Sequence, residues 1–226
     1  MIGTRPELIL FDLDGTLIDS LGDLRTALNV LLGELGRPSL AVADVRPMIG
    51  DGVAKLVERA LVARPGDDIA LSAAVARFLE IYEAAPATLT RPYPGAADTL
   101  ARLVEAGIRL AVCTNKPERV TLLVLRTLGL DRYFDRIVGG DSLPWRKPDR
   151  RLVASILDGF GIGGKDALFV GDSEVDAATA EAAGVRFVLM TNGYRRGPIE
   201  AIPHDAALDR FTALIPLVLG AEAGAS

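Results

Sequence analysis

A chain of 226 residues with 25 Lys+Arg against 30 Asp+Glu carries a net charge of −5, and half of it is hydrophobic. That size and apolar content allow one large domain or two small ones, and exclude intrinsic disorder, collagen-like repeats and a disulfide scaffold. The mild acidic excess offers no footprint for nucleic acid or an anionic membrane, and the single cysteine, Cys113, fits a reducing compartment.

The first element is the apolar run Leu8-Ile9-Leu10-Phe11, which reads as a buried strand leaving its sheet at Asp12. The N-terminus meets Asp12 before a signal-peptide core can form, and Phe211 to Leu219 is too short to span a bilayer and is broken by Pro216. A cytoplasmic protein is expected, with no membrane partner. From about Asp19 to Pro86 the pattern is helical. Leu21, Leu24, Leu28, Leu31, Leu32 and Leu35 recur at three and four residues until Gly36 and Pro38 stop the helix. A second amphipathic piece runs from Gly52 to Val62. A third starts near Asp68, with Leu71, Val75, Phe78, Leu79 and Tyr82 on one face.

From Arg91 onward strands and helices alternate. Ile108 to Cys113, Ile137-Val138, Ala167 to Val170 and Val185 to Met190 read as strands, and Glu118 to Leu128, Leu152 to Leu157 and Val175 to Ala183 as helical. The spacing predicts an α/β fold, a doubly wound parallel-sheet (Rossmann-like) core with a helical segment inserted after its first strand.

Ligands of open parallel sheets bind at the carboxyl ends of the strands. The first strand delivers Asp12, Asp14, Gly15 and Thr16, and the Ile108 strand delivers Thr114, Asn115, Lys116 and Pro117. The Ala167 strand delivers Gly171, Asp172, Ser173, Glu174 and, a turn later, Asp176, while Lys147-Pro148 precedes a helix. Carboxylates gathered in one crevice repel unless a cation neutralises them, and oxygen-only donors favour Mg²⁺ over zinc. Mg²⁺ with a Lys and a Thr/Asn pair suits phosphoryl oxygens. Each feature also has an ordinary reading: Asp12 and Asp14 as an acidic pair capping a helix or sitting in a turn, Gly15-Thr16 as a tight turn, Asp172-Ser173 as a helix N-cap with Asp176 completing the first turn, and Lys147-Pro148 as a helix start with Pro in its first turn. Four such features at the ends of one sheet favour the functional reading. Cys113 reads as a buried small hydrophobe, His204 as a loop residue and Trp145 as a packing residue. Only four basic residues are Lys, and Lys116 and Lys147 are two of them.

Phe11-Asp12-Leu13-Asp14-Gly15-Thr16-Leu17-Ile18-Asp19-Ser20, Thr114-Asn115-Lys116-Pro117, Lys147-Pro148 and Gly171-Asp172-Ser173-Glu174-Val175-Asp176 together resemble the four motifs of the haloacid dehalogenase-like phosphatases. Ile49-Gly50-Asp51-Gly52, Tyr93-Pro94-Gly95, Val138-Gly139-Gly140-Asp141-Ser142-Leu143-Pro144 and Asn192-Gly193-Tyr194 are similar to the phosphoglycolate phosphatase branch of that family. Asp149-Arg150-Arg151 departs from relatives that carry a second Pro there.

The resemblance implies a helical cap at residues 19–86 and a catalytic core at 1–18 and 87–226. It implies Asp12 as nucleophile and Asp14 as acid and base. Mg²⁺ would be held by Asp12, the Asp14 carbonyl and Asp172, with Asp176 orienting that shell. Thr114, Asn115 and Lys147 would bind phosphate. The expected partner is a small phosphorylated metabolite such as 2-phosphoglycolate, acted on by a monomer or homodimer. Phosphomutases share both aspartates, dehalogenases lack the second, and a phospho-accepting receiver module shares the acidic site without the insert.

Overall fold

The computed structural model describes residues 3–220. Strand β1 (Leu8–Phe11) runs through the centre of the molecule, every residue buried. A two-residue strand β2 (Ile18–Asp19) follows, then four helices: α1 (Leu21–Glu34), α2 (Val42–Val45), α3 (Val53–Ala63) and α4 (Leu71–Ala84). The chain returns through β3 (Arg91–Pro92), which pairs antiparallel with β2, Ile18 opposite Pro92 and Asp19 opposite Arg91.

The leucine repeat makes α1 amphipathic, and Leu21, Leu24, Leu28, Leu31 and Leu32 are its buried stripe. The helix stops where Gly36 takes φ +65°. Gly36 N–H then donates to the Gly33 carbonyl (3.1 Å) and Arg37 N–H to that of Leu32 (2.8 Å), the pair of bonds that closes a helix on a left-handed residue. Ala74, Phe78 and Tyr82 form the buried face of α4, against which α1 and α3 pack. Buried Asp23 in α1 accepts the Thr90 N–H at 2.8 Å and the Thr90 hydroxyl at 2.6 Å, fixing the return of the chain beside its departure.

The rest of the chain builds the sheet. In order come α5 (Ala96–Glu105), β4 (Arg109–Cys113), α6 (Glu118–Thr127), β5 (Arg136–Val138), α7 (Arg150–Phe160), β6 (Ala167–Gly171), α8 (Glu174–Ala183), β7 (Arg186–Met190), β8 (Ala206–Leu208) and α9 (Leu214–Leu219). The six long-range strands lie β5-β4-β1-β6-β7-β8, all parallel. Alternate residues feed opposite faces. Ile9, Phe11, Leu110, Val112, Leu168 and Val170 meet the face covered by α5, α6 and α9. Leu8, Leu10, Ala111, Phe169 and Leu189 meet α7 and α8. The predicted doubly wound α/β core is therefore observed.

Several expectations move. The third helix starts at Leu71 rather than near Asp68. Strands begin one residue later than read at Arg109 and Arg186. The ribbon β2–β3, helix α5 and strand β8 were not anticipated. Asp149, not Lys147-Pro148, opens α7: its carboxylate accepts the Arg151 N–H at 2.9 Å, so Pro148 lies outside the helix.

No helix among the described residues is long and apolar enough to cross a membrane. Because Leu10 is fully buried in the central strand, Leu10→Ala is expected to lower stability by about 2–5 kcal/mol in urea denaturation. Val62→Ala, on a side chain 76% exposed, is expected to stay within about 0.5 kcal/mol of the parent.

Candidate active site

The sheet order reverses around β1, with β4 on one side and β6 on the other, and a crevice opens at the carboxyl ends of these three strands. Asp12 N–H still pairs with the Val170 carbonyl at 2.9 Å, so its side chain is fixed by the last rung of the ladder. Thr114 N–H does the same with Val138 at 3.1 Å. Asp12, Thr114, Asn115, Lys116, Lys147, Asp172 and Asp176 are all buried at this edge. The sequence-predicted residues are thus brought to one place, Asp14 among them at the edge of the same cavity.

The centre of the cluster is the Lys147 ammonium, 2.7 Å from Asp12 Oδ1 and 2.6 Å from Asp176 Oδ1. The other Asp176 oxygen, Oδ2, accepts the N–H groups of Asp172 and Ser173 (both 3.1 Å) and the Ser173 hydroxyl (2.7 Å). Ser173 and Asp176 form a capping box on α8, so the helix cap and the charged site are one arrangement. Asp172 lacks such a cation: no Lys or Arg among the described residues pairs with it. Its oxygens accept the Thr16 hydroxyl (2.8 Å) and the Tyr194 N–H (2.6 Å). Gly15, at φ +92°, passes so close to the Asp172 carboxylate that a Cβ there would overlap it.

Burial pushes the Asp12 carboxyl up to about 6, with Lys147 pulling the other way and Asp176 adding to the rise. Burial, then Asp176 and Asp12, raise Asp172 well above the usual carboxylate range. Lys147 is itself raised: its burial favours the neutral amine, but Asp12 and Asp176 outweigh it. Asp12, Asp172 and Asp176 each offer an oxygen, and these atoms lie within 4.8 Å of one another. An all-oxygen set of this kind, with one buried carboxylate lacking a counter-charge, fits a hard divalent cation.

Asp14 is held separately. Lys116 Nζ donates to its two oxygens at 2.8 and 3.0 Å, and the Ser20 hydroxyl donates at 2.6 Å. The third Lys116 donor reaches Tyr82 Oη of α4 at 2.8 Å. Burial works against the charged lysine, yet Asp14 and Tyr82 hold it above its ordinary value. The Asn115 amide is taken up by main chain: Nδ2 donates to the Gly50 and Lys147 carbonyls (both 3.2 Å), and Oδ1 accepts the Lys147 N–H (3.0 Å). Its side chain therefore joins the Lys147 loop to the helical segment.

Three participants were not singled out in the sequence. Tyr82 reads there as one more apolar residue on the face of α4, and its need for a hydroxyl partner was the available signal. Ser20 and Tyr194 lie within motif strings but carry no spacing signal of their own. Burial pushes the Cys113 thiol up to about 12, which makes it inert, and Trp145 packs on the α7–α8 side with Arg151 5.0 Å over its ring. Lys55 sits in an exposed pair with Glu58, whereas Arg59 reaches Asp51 at 2.5 Å.

The chain belongs to the haloacid dehalogenase-like hydrolases, whose family model matches residues 9–190. Within that class it is an enzyme, a hydrolase similar to phosphoglycolate phosphatases. The phosphoglycolate phosphatase of Cereibacter sphaeroides (strain ATCC 17029) is 46% identical over 201 residues, covering 87% of this chain and 90% of the relative. Phosphoglycolate phosphatase 1 of Pseudomonas aeruginosa PAO1 is 43% identical over 216 residues, 93% of this chain and 79% of the relative. A crystal structure of a predicted phosphoglycolate phosphatase from Haemophilus somnus 129PT superposes with a TM-score of 0.90 at 33% identity, covering 95% and 99% of the two chains.

The Lys147 geometry makes a pH-dependent prediction. With its carboxyl raised from 3.8 to about 6, folded Asp12 keeps a proton that the unfolded chain has lost. Its contribution to stability is therefore full below the unfolded value and is lost as pH rises through the folded one. Removing the neighbouring ammonium extends that loss to higher pH. Lys147→Met is expected to cost about 3–5 kcal/mol at neutral pH and clearly less at about pH 5, measured by urea denaturation without added metal. Equal losses at both pH values would contradict the electrostatic origin.

Proposed function

We propose that the protein is a Mg²⁺-dependent phosphomonoesterase that hydrolyses 2-phosphoglycolate through a phosphorylated Asp12. The observation that carries the reading is the division of two neighbouring aspartates between two lysines. Asp12 faces Lys147 and the acidic cluster, while Asp14 is held by Lys116 and Ser20. Two carboxylates in different surroundings can take different tasks.

Asp12 attacks phosphorus, which divides one difficult displacement into two easier ones. Asp14 delivers a proton to the departing alkoxide and then takes one from the hydrolytic water. Thr114, Asn115 and Lys147 receive the transferring oxygens, a task that suits the compact ammonium of Lys147. Asp12, Asp172 and the Asp14 carbonyl, with Asp176 orienting the set, would hold a magnesium ion, which would supply the charge neutralisation that an anionic ester needs.

Residues 19–86 act as a cap over a core of residues 1–18 and 87–226. The space bounded by Asp12, Asp14, Thr114 and Lys116 on one side and Leu24, Ile49, Val53, Leu56 and Tyr82 on the other is about 30 Å³. That is room for one or two waters. The helices open to admit a phosphomonoester, and their return excludes water from the reaction. The helix side of this cavity brings aliphatic groups and a single hydroxyl, that of Tyr82, which accepts from Lys116 across the cavity wall. Such a wall leaves the many hydroxyls of a sugar without partners and suits a short ester. The similarity to phosphoglycolate phosphatases supports the same substrate.

Phosphate release from 2-phosphoglycolate is expected to require a divalent cation and to stop with a chelator. Asp12→Asn is expected to lower kcat by at least about a thousandfold, and Asp14→Asn by about a hundredfold or more. Full activity in Asp12→Asn would remove the nucleophile from this scheme. In a panel with sugar phosphates, nucleotides and pyrophosphate, 2-phosphoglycolate is expected to show the highest kcat/KM. A low rank would overturn the substrate while leaving the chemistry intact, and labelled phosphate found on a sugar instead of water would indicate a mutase.

A further inference from the structure

A second charged network lies beside the crevice and joins the helical segment to the loop 192–197. Asp51, in the turn before α3, accepts from Arg59 at 2.5 Å and from Arg196 Nη2. Arg196 also donates Nε to the Pro47 carbonyl (3.0 Å) and Nη2 to that of Ile49 (3.3 Å). Its planar fork thus takes hold of three groups of one turn, which a lysine cannot do. From the opposite direction, Arg46 donates to the carbonyls of Gly193 (2.5 Å) and Asn192 (3.2 Å). The side chain of Asp51 is only 25% exposed. Burial alone would raise its carboxyl, and the bonds from Arg59 and Arg196 bring it below its ordinary value.

The loop grasped in this way bears directly on the acidic cluster. Tyr194 N–H donates to Asp172 Oδ2, and Gly193 packs on the Asp172 side chain so closely that a Cβ has no room. The Arg196 and Gly197 N–H groups donate to Glu174 (3.0 and 2.6 Å), the first residue of α8 and two positions after Asp172. Tyr194 Oη accepts the N–H groups of Ser20 (2.8 Å) and Leu21 (3.1 Å) at the start of α1. The helical segment therefore reaches Asp172 through a continuous chain of hydrogen bonds.

We infer that Asp51 and Arg196 form a clamp that couples closure of the helical segment to the position of Asp172, and hence to the affinity of the site for its cation. Arg196 is a positioning residue and touches no reacting atom. The inference rests on the metal reading given under the proposed function.

Isothermal titration with Mg²⁺ tests it without substrate. Arg196→Met and Asp51→Asn are each expected to weaken Mg²⁺ binding about fivefold or more, and the double variant little further because both break one pair. Arg119→Met is the control. Its 3.0 Å pair with Glu83 also joins the core to the helical segment, through α6 and α4, but makes no contact with the loop 192–197. It is expected to leave Mg²⁺ affinity unchanged. If wild type binds Mg²⁺ and Arg196→Met and Asp51→Asn bind it equally well, the clamp is overturned and the metal reading stands. If wild type binds no Mg²⁺, the metal reading fails and the clamp falls with it.

Discussion

The site depends on one buried ammonium. Lys147 lies between Asp12 and Asp176 with almost no access to water, and it compensates charges that the fold could not otherwise bury together. Removing ions from water costs more than a single contact returns, so such a group persists only where its partners are fixed. Here they are fixed by backbone. Asp12 is held by the last rung of β1, and Asp176 by the cap of α8. Lys147 is held by the Asn115 amide, which grips its N–H and its carbonyl. The sheet, the first turn of a helix and a loop are thus adjusted to one charge.

The second lysine explains why two aspartates so near in sequence differ. Asp12 and Asp14 alternate along an extended stretch, and composition gives no reason for them to be unlike. The structure gives Asp14 the Lys116 ammonium and the Ser20 hydroxyl, and gives Asp12 a place in a cluster that includes Asp172, which has no cationic partner among the described residues. Tyr82 carries the Lys116 network into α4, so the helical segment contributes to the electrostatics of the crevice as well as covering it. The scarcity of lysine in an arginine-rich chain acquires a physical sense at these two positions. A compact ammonium with three donors serves Asp12 and Asp176 at Lys147, and Asp14 and Tyr82 at Lys116, from a single point.

Where the sequence was readable, the reason is local. Strands such as Leu8–Phe11 and Ala167–Gly171 are continuous apolar runs because both faces are covered, and each ends in a polar group that marks the edge of the sheet. The α1 repeat and its glycine stop are likewise local signals. The ribbon of Ile18–Asp19 with Arg91–Pro92 was not readable, since two residues carry no periodicity and the partners lie far apart in the chain. Strand β8 is Ala-Ala-Leu, a composition with little β preference. The motifs named the charged residues but not their pairing, because spacing does not say which lysine meets which aspartate. Asp51 lies in a quoted motif and Tyr82 on a periodic helix face, but the partners of Asp51, Tyr82 and Arg196 are set by tertiary contacts that spacing does not reveal.

The central claim is that Asp12 carries the phosphoryl group. Acid-quenched mixing of enzyme with 2-phosphoglycolate, followed by mass spectrometry of the digested protein, tests it directly. A phosphoryl group on the peptide containing Asp12, formed and lost at rates that account for turnover, is the result predicted. Turnover with no phosphorylated peptide, or with the group on another residue, would contradict it.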